Sequence, residues 1–117
     1  MQNKNKTKNT KRLRLKRRIR VKIKGTLERP RLSVFRSNKF IYAQVINDVS
    51  GKTLAQANDI KLKKGTKTER AKEVGHMIAD ACSKIKIAKV VFDRNGFKYT
   101  GRIKTVADEA RATGLQF

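Results

Sequence analysis

The chain has 117 residues, with 31 Lys and Arg against nine Asp and Glu, a formal net charge of +22 and a pI near 11.0. That length supports one domain with its own core and not two, and no run approaches the roughly 18 consecutive apolar residues that span a bilayer. One cysteine, Cys82, and one histidine, His76, rule out an internal disulfide and a four-ligand structural zinc site.

Twelve of the 31 cations lie between Lys4 and Lys24, and the first acidic residue is Glu28. The remaining 19 cations face all nine acids, so the rest of the chain still carries +10 of the total. A block of one charge sign repels itself and is best read as an arm held against a polyanion, which makes nucleic acid the first partner to consider. An anionic membrane surface would attract the same charge, but the arm's apolar residues are interleaved with cations and offer no continuous apolar face. No secretory signal is visible, since no apolar core follows the basic start. Acid-free, Arg-rich starts also occur in organelle transit peptides, but here the basic pattern runs straight into the domain without a Ser-rich stretch.

Residues 1 to 10, MQNKNKTKNT, are polar and low in complexity, and are expected to be disordered in the free protein. In KRLRLKRRIRVKIK, Leu15, Ile19 and Ile23 recur every four residues, which predicts a helix over about 10 to 22 with one thin apolar stripe. The alternation of Ile19, Val21 and Ile23 also fits a strand. Like-charge repulsion implies that a helix here forms mainly on its partner, with Lys11, Arg12, Arg14, Lys16, Arg17, Arg18, Arg20 and Lys22 supplied to phosphates. Gly25 and Pro30 mark the joint, which divides the chain into an arm at 1 to 24 and a single mixed α/β domain at 25 to 117.

RLSVFR, FIYAQVIN and KTLAQAN read as three short strands separated by turn-like SNK and DVSG, the pattern of an antiparallel meander. Alternation places Leu32, Val34, Ile41, Ala43 and Val45 on core faces, and Ser33, Tyr42 and Gln44 opposite them. Thr66 and Glu69 fit a capping box opening a helix at about 67 to 85, with Ala71, Val74, Ile78, Ala81, Cys82 and Ile85 on its apolar stripe. His76 shares the spacing of Lys72, Asp80 and Ser83 and is expected to face solvent, with Cys82 a core thiol. AKVVFD suits a strand buried on both faces, and the helical crossover before it implies a parallel pairing. A last helix at about 102 to 113, with Ile103, Val106, Ala107 and Ala110 inward, stops at Gly114, leaving Leu115 and Phe117 to fold back. Phe35 and Phe92 are read as core, and Asn95-Gly96 as a turn.

Two segments combine arginine, small polar groups and aromatics: RLSVFRSNKFIYAQ at 31 to 44 and DRNGFKYTGR at 93 to 102. Arg and Lys neutralise phosphate, Ser37 and Asn38 can bond sugar or phosphate, and Tyr42 or Tyr99 offers a flat face to an unstacked base. Gly96 and Gly101 would let backbone come close to a phosphate. Tyr42 is evenly divided between packing and contact. Nothing points to catalysis. Asp48, Asp59, Asp80, Asp93 and Asp108 are scattered over turns and helix faces instead of converging as two-metal chemistry requires, and Asp93 reads as a partner for an Arg or a backbone amide. No nucleophilic triad or phosphate-cradling loop occurs, and no cofactor is expected.

GTLERPRLSVFRSNKFIYAQVINDVSGKTLAQA and VVFDRNGFKYTGRIKTVADEARATGLQF together closely resemble the bacterial-type ribosomal large-subunit protein eighteen family. The resemblance covers nearly all of residues 25 to 117, and the arm matches in character only. It implies a three-stranded antiparallel meander plus one parallel strand with two packed helices, of the ribonuclease-H-like kind found in the translational machinery. It also implies a non-enzymatic constituent of the large ribosomal subunit that binds 5S rRNA and helps attach it to 23S rRNA in the central protuberance, beside other 5S-binding proteins. By the same resemblance, Arg31, Arg36, Ser37, Asn38, Lys39, Tyr42 and Gln44 from the first block face RNA, with Arg94, Lys98, Tyr99, Gly101 and Arg102 from the second. Relatives often carry His where this chain has Phe40 and Thr100, and Gly where it has Asn95, so imidazole contacts are not carried over. The expected location is the cytoplasmic ribosome of a bacterium, with a plastid or mitochondrial ribosome as the alternative. A general RNA or DNA compaction protein and a membrane-surface peptide are the competing readings.

Overall fold

The computed structural model describes residues 4–62 and 64–117, so the first three residues of the segment expected to be disordered lie outside the described residues. Helix α1 runs Lys4–Lys22, reaching further toward the N-terminus than the expected 10 to 22, and no Gly or Pro interrupts that run. Three strands follow, β1 Arg31–Arg36, β2 Ile41–Asn47 and β3 Lys52–Asn58, then α2 Lys67–Lys84, β4 Val91–Asp93 and α3 Gly101–Thr113. The sheet order is β3-β2-β1-β4. β1–β2 and β2–β3 pair antiparallel, and β4 joins β1 in parallel after the α2 crossover, which is the meander plus parallel strand expected from the sequence.

The alternation in β1 and β2 puts Leu32, Val34, Ile41, Ala43 and Val45 on one face, and all five are fully buried. Both helices cover that face, α2 over β2 and β3 and α3 over β1. Ala71, Val74, Ile78 and Cys82 come down from α2, and Ile103, Val106, Ala107 and Ala110 from α3. Burial pushes the Cys82 thiol up to about 11, so it stays a neutral core group, and His76 is exposed, its Nδ1 3.3 Å from Thr113 Oγ1. Thr66 caps α2 by accepting from the Glu69 N–H at 3.2 Å. Gly114 closes α3 with φ 127°, beyond which Leu115 is buried and Phe117 stacks on Phe92 at 5.6 Å.

Four expectations need correction. Phe35 is 41% exposed, because strict alternation sends it to the face opposite Leu32 and Val34, the face without helices. Phe92 is only half-buried, against Tyr99 and Phe117. Ile85 falls beyond the last turn of α2, as its C-cap, and is exposed. The AKVVFD strand shrinks to Val91–Asp93 with Val91 and Phe92 half-buried, since β4 is the edge of the sheet, while the preceding Ala88–Val90 stretch pairs with Gln116.

α2 and α3 pack against each other through Gly75. A Cβ there would sit 2.6 Å from the Val106 carbonyl oxygen and 2.9 Å from Glu109 Cβ, so the absent side chain lets the two helix backbones approach. Gly75→Ala is therefore expected to destabilise the protein by about 1–3 kcal/mol, the usual cost of overpacking, although alanine is the better helix former. Thermal melting of the two proteins is the check; an unchanged or raised Tm would contradict the close approach.

Candidate nucleic-acid interface

The site is organised around one guanidinium. Arg31, at the start of β1, donates from Nε and Nη2 to Asp48 at 3.1 and 3.2 Å and from Nη1 to Asp93 at 2.8 Å. Asp48 lies in the β2–β3 turn and Asp93 ends β4, so this side chain, 11% exposed, ties three segments together. Asp93 is fully buried and its other oxygen accepts from the Asn95 N–H at 2.9 Å, so it has both kinds of partner expected for it. The two carboxylates, expected to be scattered, do converge, but on a cation of the chain; among the described residues no group of acids, His and Cys could hold a metal ion. Burial alone would raise the Asp48 pKa. The Arg31 hydrogen bonds, the Gly25 N–H at 2.7 Å and the charges of Arg31 and Arg20 outweigh it and hold the carboxyl below its usual range. Burial likewise works against the Arg31 cation, and its bonds to Asp48 and Asp93 overcome that, raising its pKa.

Asp48 also anchors the arm. Arg20 reaches it at 3.4 Å while donating to the Ile23 carbonyl at 2.7 Å, and Gly25 packs so tightly against Arg31 and the Ile46 carbonyl that a Cβ would not fit. Gly25 thus serves close approach more than hinge freedom. At the other end of the contact, Arg12 donates to the Asn95 carbonyl at 2.9 Å and lies over the rings of Phe97 and Phe35, 4.7 and 5.8 Å from their centroids. Gly96, at φ 78°, faces the Arg12 backbone with no room for a side chain. The half-buried residues of α1 and its exit are Arg12, Leu15, Lys16, Ile19, Arg20 and Ile23, one helical stripe that contains the expected apolar residues. Lys11, Arg14, Arg17, Arg18 and Lys22 are exposed on the rest of the helix.

Across the sheet face without helices, Ser33, Phe35, Ser37, Tyr42 and Gln44 line an open concavity of about 400 Å³. Phe35 and Tyr42 are cross-strand partners with ring centroids 6.1 Å apart, tilted by 40°. At one end of this face the turn 37–40 is gripped from beneath: Arg102 Nη2 donates to the Ser37 carbonyl at 3.1 Å and Lys67 Nζ to the Asn38 carbonyl at 2.7 Å. Burial and the neighbouring Arg36 lower the Arg102 pKa, with Arg70 adding to the crowding of cations and Asp59 opposing it. Asn38, Lys39 and Arg36 are exposed around the turn, and Lys98 and Gly101 are exposed before and at the start of α3. Thr100 makes no side-chain cap, so the first N–H groups of α3 are not closed by it.

The first block is thus brought together, except that Arg31 is committed inward. The second block divides. Arg94 is half-buried, and Tyr99 sits on the helix side, edge-on to Phe92, with its hydroxyl accepting from Arg111 at 3.0 Å, so Tyr42 and Tyr99 do not share a face. The sequence reading missed Phe35 and Phe97 on the open face, and Lys67 and Arg70 behind the turn. For Phe35 the signal was present: period two groups it with Arg31 and Ser33. For the others it was not, because only the fold brings the α2 start to the β1–β2 turn.

Residues 6–117 match the family model described as ribosomal L18 of archaea, bacteria, mitochondria and chloroplasts. Relatives named large ribosomal subunit protein uL18 are similar to this chain. That of Sorangium cellulosum is 58% identical over 102 residues, 82% of this chain and 86% of the relative. Those of Porphyromonas gingivalis and Bacteroides thetaiotaomicron are each 58% identical over 97 residues, 82% of this chain and 85% of the relative. The chain belongs to the ribosomal L18 family, a structural and non-enzymatic component of the large ribosomal subunit.

The Asp48 clamp has a consequence for acid stability. A carboxyl held below its unfolded pKa contributes stability fully above that value and loses it as pH falls through the folded pKa. Stability of the protein should therefore fall as the pH drops below roughly 4. Asp48→Asn should cost about 1–3 kcal/mol at neutral pH and flatten that acid limb, as read by urea unfolding from pH 7 to pH 2. An equally steep limb in the variant would show that Asp48 does not carry it.

Proposed function

We propose that this member of the L18 family binds 5S rRNA and helps attach it to 23S rRNA in the central protuberance, beside the neighbouring 5S-binding proteins. The observation that carries the RNA reading is the arrangement of α1: one stripe is fixed to the body through Arg12 and Arg20, while Lys11, Arg14, Arg17, Arg18 and Lys22 remain exposed. A helix of 19 residues is about 28 Å long, enough to follow several phosphates of a backbone. The body adds Arg36 and Lys39, exposed at the turn 37–40, and Lys98, exposed just before α3.

In this mechanism the protein reads shape. An A-form duplex hides its base edges in a deep, narrow major groove, so contacts go to phosphates, 2′-hydroxyls and splayed loop bases. Cations on the arm supply affinity, and the sheet face and turn discriminate the folded RNA. Arg31 acts indirectly by fixing where the arm leaves the body, Arg102 by holding the turn 37–40, and Tyr99 by packing on Phe92. No helix among the described residues is long and apolar enough to cross a membrane. The relatives named above are bacterial, which favours a bacterial cytoplasmic ribosome over an organellar one.

A competition gel shift at physiological salt, 5S rRNA against unrelated RNA and DNA of equal length, should show preference for 5S rRNA. Equal affinity for all three would replace this reading with that of a general compaction protein, and liposome binding that RNA does not compete would favour the membrane surface. With about eight phosphates neutralised, log affinity against log salt should fall with a slope of roughly -6 to -7. Removal of residues 1–24 should weaken binding and flatten the slope; an unchanged slope would take the arm out of the mechanism.

A further inference from the structure

We infer that the open sheet face carries a seat for one unpaired adenine, built from Phe35, Tyr42 and Gln44. The inference rests on the reading of the partner as RNA and adds what this face takes from it. Its first support is exposure. Phe35 is 41% exposed on a sheet face that neither α2 nor α3 covers, so its contacts with Tyr42, Phe97 and Arg12 still leave a large part of an apolar ring open to solvent.

The geometry suits a planar ligand. Phe35 and Tyr42 form a contacting pair, centroids 6.1 Å apart and tilted by 40°, so a base stacks on the exposed side of the pair and not between the rings, while Phe97 meets Phe35 edge-on at 5.5 Å and supports it from the side. The concavity of about 400 Å³ falls within the range of small-ligand sites. Single-stranded bases are held by such aromatic faces.

Polarity narrows the ligand. Ser33 Oγ accepts from Asn95 Nδ2, and Ser37 Oγ is engaged with the Phe40 backbone. Gln44 is exposed and its amide has no partner among the described residues. A glutamine amide offers a donor and an acceptor side by side, the pair that matches N7 and the N6 amino group of adenine. Charge completes the site: Arg12 lies 5.8 Å from the Phe35 centroid and Arg36 5.2 Å from that of Phe97, where they can neutralise the phosphate of the seated nucleotide.

The test uses the full chain and three short probes of equal charge: hexaadenylate, hexauridylate and an abasic hexamer. Fluorescence anisotropy should show hexaadenylate bound about tenfold tighter than the abasic hexamer. Tyr42→Leu should close that gap, Tyr42→Phe should keep it, and Gln44→Ala should keep the gap while removing the preference for adenine over uracil. Equal affinity for hexaadenylate and the abasic hexamer, or a gap that survives Tyr42→Leu, overturns the seat. Ultraviolet cross-linking of the unaltered protein avoids any folding defect of a variant: the adenine adduct should map to Phe35 or Tyr42, and adducts found only elsewhere overturn the proposal. Loss of preference for 5S rRNA with the hexamer gap intact would sink the functional reading above and leave the seat standing.

Discussion

The Arg31 guanidinium between Asp48 and Asp93 is the interaction on which the rest of the structure depends. A chain of +22 folds only where its few carboxylates are placed to offset clustered cations, and here two of its nine acids meet one arginine at the base of the sheet. Removing either partner of so enclosed a pair would leave a charge largely out of water and unpaired, which costs far more than the intact pair contributes. The clamp fixes β4 beside β1 and the β2–β3 turn beneath them, and with Gly25 and Arg20 it sets the direction in which the arm leaves.

The arm divides its cations by the same logic. Two of those on the stripe facing the body have partners there: a carboxylate for Arg20, and a carbonyl and two aromatic rings for Arg12. Lys11, Arg14, Arg17, Arg18 and Lys22 are exposed elsewhere on α1, so the helix carries a concentrated positive face on a defined mount. Self-repulsion along that face is relieved when a polyanion binds, which ties the helix's stability to its partner. The bland alternative, a solvated charge run, explains the exposed cations but not the fitted contacts at Gly25 and Gly96.

The sheet's two faces separate stability from recognition. One face is buried under both helices and filled with small and medium aliphatic side chains, with no tryptophan available and with Phe92 and Phe117 half-buried at its margin. The other keeps Phe35 and Tyr42 beside Gln44, where substitutions would alter contact with a ligand before they alter the core. The clasp of Arg102 and Lys67 on the carbonyls of the turn links the two, since the helices that close the core also hold the edge of the open face.

Local rules read from the sequence settled much of this. Period-two alternation gave the meander and its buried set, Thr66 and Glu69 opened α2, Gly114 closed α3, and the lack of acids before Glu28 marked the arm. The resemblance in two long blocks gave the family and most of the candidate residues. Each of these signals lies within a strand, a helical turn or a contiguous block, where neighbours in sequence are neighbours in space. What the tertiary structure alone decided are meetings across long separations: Arg31 with Asp93, Arg12 with the Asn95-Gly96 turn, Lys67 with the turn after β1, and Tyr42 and Tyr99 on opposite faces. Which charges are spent inside and which stay available outside depends on the order of strands in the sheet and the path of the crossover, and a one-dimensional pattern carries neither.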